Sequence, residues 1–214
     1  MLKLKKKSKD SGKLPSYGQL LQYGCWCQLF TQLWHTSNKG TPIDHIDAAC
    51  RSWSKCIECQ MMDSAKCKGV KDTYGLGCKI IKIKLDIKNR FCNLVKRKIA
   101  YNSHLDELSC EYAANPGTCE RTSCECDLRL AQSLYEFSYD FQKPNMASQG
   151  FDPITQCKAS GQGEGQTAVV DQCCGATPNR FPFYSDNGNR ACCNGKTYNS
   201  AALVCCSHGP AVAC

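Results

Sequence analysis

The chain has 214 residues, 20 of them cysteine, and a formal net charge of +8. Cysteine at that density marks a disulfide scaffold in an oxidising compartment. In a reducing cytosol so many thiols would need metal or catalytic work, and only His35, His45, His104 and His208 are present to share it, none at a zinc-type spacing from a cysteine pair.

Met1 opens a lysine-rich stretch with the charge of a secretory n-region but no apolar h-region behind it, so either a signal has been removed or Met1 lies inside a longer coding sequence. No later run approaches the roughly 18 apolar residues of a membrane span, and no Asn-x-Ser/Thr triplet offers a glycan acceptor. Residues 1–13 carry six lysines against Asp10. Thr41-Pro42-Ile43-Asp44 reads as a helix start, with Pro just inside and acids in the first turn. Ile46, Cys50, Trp53 and Ile57 then share one face at helical spacing, and that face is predicted to be buried. Cys56-x-x-Cys59 has no second half of a metal or redox motif and is read as structural, each cysteine bonded elsewhere from a loop.

Residues 79–98 hold the second basic block, eight Lys/Arg against Asp86. Within it Ile81, Ile83, Leu85 and Ile87 alternate with Lys82, Lys84, Asp86 and Lys88, the period of a half-buried strand, and a turn near Asn89 would return the chain to Ala100 as a basic hairpin. The two blocks predict attraction to polyanions through Lys3, Lys5, Lys6, Lys7, Lys82, Lys84, Lys88, Arg90, Lys96, Arg97 and Lys98, although the same runs also serve as a solvated surface. A second helix is predicted over 121–137, where Leu130, Leu134 and Phe137 recur beside Cys126, so the two helices could be cross-linked as a pair.

Ser160 to Gln166 is small and polar, which divides the chain into a domain at 1–157, a flexible linker at 158–168 and a module at 169–214. The module carries Cys173-Cys174, Cys192-Cys193 and Cys205-Cys206, then Cys214. Neighbouring cysteines close a strained ring if bonded to each other, so each doublet should bond outward. Asn194-Gly195 directly after a doublet predicts a tight hairpin. Thirteen cysteines precede the linker and seven follow it. Both counts are odd, so a bond crosses between the modules, joins two chains as a disulfide-linked dimer, or is absent with one thiol left in each.

Tyr23-Gly24-Cys25-Trp26-Cys27, the run from Pro42 through Cys50, Trp53 and Ser54 to Cys56, and Cys119-x4-Cys124-Glu-Cys126-Asp127 together resemble the calcium loop, the catalytic helix and the second long helix of the secreted phospholipase A2 family, over residues 1–157. The resemblance implies a mainly α, disulfide-rich α+β fold, with two antiparallel disulfide-linked helices and an enlarged β-hairpin wing. It also implies the bonds Cys25–Cys157, Cys27–Cys50, Cys56–Cys126, Cys67–Cys119 and Cys110–Cys124. A sixth family bridge is missing at both ends, at Ala49 and Ser133. Cys59, Cys78, Cys92 and the tail cysteines stay unassigned.

The family's reaction needs an imidazole base, a calcium-binding carboxylate and a glycine-rich loop of carbonyls. Trp53 stands at the histidine position, and its indole has no basic lone pair. Ser54 replaces the carboxylate, and Gln28-Leu29-Phe30-Thr31-Gln32-Leu33-Trp34 replaces the glycines. Asp127 remains at the position that orients the family's histidine, and a hydrogen bond from Trp53 Nε1 is expected to satisfy it. His45 and His35 read as surface residues. No catalytic residues, metal or cofactor are therefore expected.

The tail resembles galaxin-type di-cysteine repeats through Cys173-Cys174-Gly175, Cys192-Cys193-Asn194-Gly195-Lys196-Thr197-Tyr198-Asn199 and Cys205-Cys206. Inactive phospholipase A2-like domains also form the otoconins of carbonate ear stones. Together these imply a secreted, extracellular, non-catalytic matrix protein of shell or skeleton, whose partners are acidic matrix macromolecules or a mineral surface, not nucleic acid. A toxin-like module acting on anionic lipid or a receptor, and a calcium-dependent lipase with residual activity, are the rival expectations.

Overall fold

The structure is a computed structural model that describes residues 15–27, 40–63, 67, 100–102, 107–110, 117–157 and 170–214. It is a disulfide-rich α+β protein, with two long helices, short helical turns and four two-stranded antiparallel hairpins among the described residues. The first element is a single turn, α1 (Tyr17–Leu20).

Helix α2 spans His45–Asp63, three residues later than the Pro42 start predicted from sequence. The reason lies in Asp44, whose carboxylate accepts from Asp47 N at 2.9 Å while its carbonyl accepts from Ala48 N at 2.9 Å. A side chain with that geometry is an N-cap, so Pro42 falls outside the helix. Ile46, Cys50, Trp53 and Ile57 are buried along one face, and Cys59 also belongs to the helix rather than to a loop.

Helix α3 spans Cys119–Glu136, beginning two residues before the predicted 121 because the Thr118 hydroxyl caps it by accepting from Arg121 N at 3.2 Å. The two helices run antiparallel, as contacts at opposite ends require. Gln60 near the end of α2 donates to Cys119 O at 2.6 Å and accepts from Ser123 Oγ, whereas His45 at the start of α2 stacks on Phe137, just past the end of α3, with ring centroids 4.8 Å apart. Cys56–Cys126 cross-links their centres.

Below this pair, Tyr23, Cys27, Ile46, Cys50, Leu134 and Met146 form the main core, with Leu130 and Phe137 packed on it. The chain after α3 returns through three 3₁₀ turns, Ser138–Asp140, Lys143–Asn145 and Ala147–Gln149. There Gly24 N donates to Asn145 O at 3.0 Å and Ala147 N donates to Gln22 O at 2.8 Å. A final turn, α4 (Pro153–Gln156), brings Cys157 to Cys25.

Strands β1 (Ala100–Asn102) and β2 (Glu107–Ser109) pair antiparallel. The predicted strand 81–88 and the rest of the basic wing lie outside the described residues. In the tail, β3 (Gln172–Cys174) pairs with β4 (Phe181–Phe183), β5 (Arg190–Cys193) with β6 (Lys196–Asn199), and β7 (Val204–Cys206) with β8 (Gly209–Ala211). The β5–β6 turn is Asn194-Gly195, both at positive φ of 50° and 76°, the two-residue loop whose twist matches the flanking strands.

Each doublet ends the first strand of its hairpin. Successive side chains on a strand face opposite ways, so the two sulfurs of a doublet are sent to different partners. Cys174 bonds Cys192, Cys193 bonds Cys205, and Cys206 bonds Cys214. The remaining sulfur of the first doublet, Cys173, bonds Cys59 on α2. The hairpins are thus stapled end to end and anchored on the helix pair, and of the three outcomes that the two odd counts leave open the structure takes the crossing bond. The other five bonds among the described residues, Cys25–Cys157, Cys27–Cys50, Cys56–Cys126, Cys67–Cys119 and Cys110–Cys124, join the same pairs that the resemblance implies. Cys78 and Cys92 lie outside the described residues.

The tail also packs on α2 without the bond. The Arg180 guanidinium pairs with the Asp63 carboxylate, and Lys55 Nζ lies 5.9 Å from the centroid of the Phe181 ring, a cation–π distance. Burial, with Arg51 adding to it, lowers the Lys55 pKa, and Glu58 opposes them.

Candidate functional site

Three polar assemblies hold the middle and one end of the helix pair. The central one joins Trp53 of α2 to Asp127 of α3, with Nε1 donating to Asp127 Oδ1 at 2.7 Å. Trp53 is 3 % exposed and the bond is part-buried, and a hydrogen bond to a carboxylate contributes about 1.5–3 kcal/mol. An indole nitrogen in this place donates and cannot take a proton from water. Ser54, the next residue, is buried and carries no charge.

The second assembly is at the N-terminus of α2, where the sequence alone shows only the acids of a helix's first turn. Asp47 is fully buried, and its carboxylate accepts from Cys25 N at 3.1 Å, Trp26 N at 2.7 Å and Ile43 N at 3.1 Å. Burial pushes its pKa up from the ordinary carboxylate value, and the three N–H donors oppose the rise. Asp44 and Asp47, three residues apart, resemble half of a cation site, yet their oxygens are taken up by backbone and tyrosine donors. Among the described residues no three His, Cys, Asp or Glu side chains converge as a ligand set.

Tyr23 completes this assembly. Its hydroxyl donates to Asp44 Oδ2 and accepts from Gln142 N at 3.1 Å and Asn145 Nδ2 at 3.3 Å. Burial first, and the Asp44 bond second, raise the phenol from 10.0 to about 12. A raised folded pKa favours the neutral phenol, so this stabilisation is complete below about pH 10 and is lost as pH rises toward about 12. In a rapid alkaline pH jump followed by phenolate absorbance, the Tyr23 phenol is expected to ionise late, together with loss of the folded state. Tyr23→Phe should remove that late step. A trace that Tyr23→Phe leaves unchanged would contradict the assignment.

The third assembly is on the rim of the same end, at the first residue of α2. His45 Nδ1 lies 2.6 Å from Asp140 Oδ2, and the ring is stacked on Phe137 with its side chain 67 % exposed. His45 is thus at the surface, as predicted, but held in one orientation. Among the described residues no hydroxyl or thiol is bonded to its ring, and Ser52 Oγ donates instead to Ala48 O at 3.0 Å.

Between the middle and this rim opens a cleft of about 180 Å³, walled by α2, α3 and the tail loop before β4. His45, Trp53, Arg129 and Ser133 line it from the helix pair, and Pro178 and Asn179 from the tail. Its polar lining escaped the sequence reading because Arg129 and Ser133 sit in a helix and Asn179 in the tail, with no local pattern connecting them. His35 and every predicted polyanion-binding residue, Lys3, Lys5, Lys6, Lys7, Lys82, Lys84, Lys88, Arg90, Lys96, Arg97 and Lys98, lie outside the described residues.

No helix among the described residues is long and apolar enough to cross a membrane. Nine disulfides among the described residues place the chain in an oxidising compartment. Comparison with protein-family models, with curated proteins and with solved structures finds no match to this chain.

Proposed function

We propose that this is a secreted, non-catalytic extracellular matrix protein of a mineralised tissue such as shell or skeleton, built on a phospholipase A2-like scaffold that has retired from hydrolysis and carrying a galaxin-like di-cysteine tail. The observation that carries the non-catalytic part is the Trp53–Asp127 hydrogen bond. It occupies the place where the phospholipase A2-like reading requires a general base, with an indole that has no proton-accepting lone pair.

The scaffold part is supported by the chained disulfides. Each tail hairpin is bonded to the next and the first is bonded to α2, so a pull on the tail is carried by covalent bonds into the helix pair. That arrangement suits a load-bearing extracellular component better than an enzyme that must open around a substrate. The excess of Lys and Arg over Asp and Glu, 27 against 19, directs the proposed binding toward acidic matrix polymers or the carbonate groups of a mineral face.

Three assays on the full chain separate this reading from its rivals. Salt-sensitive binding to calcium carbonate powder or to an acidic polysaccharide, without phospholipid hydrolysis in calcium, is the expected result. Leakage of vesicles rich in anionic lipid, in the absence of carbonate binding, would favour a membrane-active module. Fatty acid release abolished by a calcium chelator would overturn the non-catalytic reading.

A further inference from the structure

The cleft between the helix pair and the tail has a chemical character of its own. Among the described residues no Asp or Glu lines it. Arg129 is half-buried, yet among the described residues it makes no ion pair or hydrogen bond, whereas Arg121 is paired with Glu125 and Arg180 with Asp63. The Arg129 guanidinium nitrogens stay in reach of solvent, so an anion entering the cleft can take the fork without breaking an existing pair. The side chains of Ser133 and Asn179, which also line the cleft, make no hydrogen bond among the described residues, so unused donors stand on both sides of it. Trp53 and Phe137 supply apolar walls, which strengthen a charge-assisted bond formed between them.

Size narrows the ligand. With liquid water occupying about 30 Å³ per molecule, a cleft of about 180 Å³ has room for a group of four or five heavy atoms and a few waters. It is smaller than the roughly 300–1,000 Å³ of sites for larger organic ligands.

We propose that this cleft binds a small oxoanion, of the phosphate, sulfate, carbonate or carboxylate type, with Arg129 as the bidentate charged partner and Ser133 and Asn179 as flanking donors. Because Asn179 comes from the tail, the site is complete only when the tail is docked on α2. The assignment rests on the cleft alone and stands or falls separately from the matrix role.

Nuclear magnetic resonance titration of the full, disulfide-intact chain tests it, with inorganic phosphate, sulfate, bicarbonate and acetate as probes and chloride at matched ionic strength as the control. Saturable shifts of the Arg129 Nε–H and Asn179 side-chain amide signals are expected with at least one oxoanion. A response to acetate alone assigns a carboxylate, and a response to phosphate, sulfate or bicarbonate assigns an inorganic ion. Arg129→Met should weaken binding at least about tenfold and Asn179→Ala by about threefold or more, as loss of charged and neutral hydrogen bonds requires. Arg129→Lys, which keeps the charge and the fold but loses the fork, should fall between wild type and Arg129→Met. Shifts that never saturate, that chloride reproduces, or that persist unchanged in both Arg129 variants would overturn the proposal.

Discussion

Gly24→Ala is expected to destabilise the folded chain by about 3–5 kcal/mol, a large share of the 5–15 kcal/mol typical of a domain. Gly24 has a φ of +57°, and a Cβ there would stand 2.6 Å from both the carboxyl carbon and Oδ1 of Asp47. The backbone conformation alone costs a residue with a Cβ about 1–2 kcal/mol. The steric conflict adds more, because the carboxylate cannot retreat without giving up donors from Cys25, Trp26 and Ile43, each such bond contributing about 1.5–3 kcal/mol. Gly18 is the control: nothing lies within 4 Å of its added Cβ and its φ is not positive, so Gly18→Ala should be nearly neutral. Thermal unfolding measures the difference, and hydrogen exchange at the Cys25 and Trp26 amides locates it. A double-mutant cycle with Asp47→Ala should show that Gly24→Ala costs less once the carboxylate is gone. A loss under about 1 kcal/mol for Gly24→Ala in the wild-type background would show that Asp47 is not locked in place.

Removing Cys59–Cys173 is the second large effect. The bond spans 114 residues in sequence, but Cys25–Cys157 and Cys27–Cys50 already shorten the path between its ends. The loop it closes is then about 30 residues, worth about 3–4 kcal/mol of chain entropy. In the double variant Cys59→Ala, Cys173→Ala, the docked tail would rely on the Arg180–Asp63 pair, which is partly exposed, and the Lys55–Phe181 contact. Each of these contributes about 1 kcal/mol or less. Limited proteolysis should therefore release the tail as a fragment held together by its own three bonds, while the helix pair resists. A tail that stays docked and protected would show that packing of the partly buried strand β4 on α2 suffices by itself. The same variant should weaken oxoanion binding in the cleft, since Asn179 would no longer be held opposite Arg129.

The two predictions differ in how visible their causes are in the sequence. The outward bonding of each cysteine doublet follows from the strained ring that neighbours would close, and the Asn194-Gly195 hairpin from turn chemistry, so both were legible. The buried faces of α2 and α3 followed from spacing. The starts of both helices were displaced because the caps, Asp44 and Thr118, are decided by which side-chain oxygen reaches an amide three residues on, and several nearby residues offered one. Asp47 was not legible at all. It looks like an ordinary first-turn acid, and its role depends on amides of Cys25 and Trp26 more than twenty residues earlier.

What the sequence by itself determined is therefore chemical and local. It required an oxidising compartment, an odd cysteine on each side of the linker, an indole at position 53 unable to act as a base, and doublets that cannot close on themselves. The tertiary structure decided which cysteine takes the crossing bond, which donors surround Asp47 and Tyr23, and that Arg129, Ser133 and Asn179 face one cleft. Those outcomes depend on how the helix pair and the tail meet. Local patterns record the conformation of a few neighbouring residues, whereas partners far apart in sequence are brought together only when burial of the helix faces and closure of the disulfides bring their segments into contact.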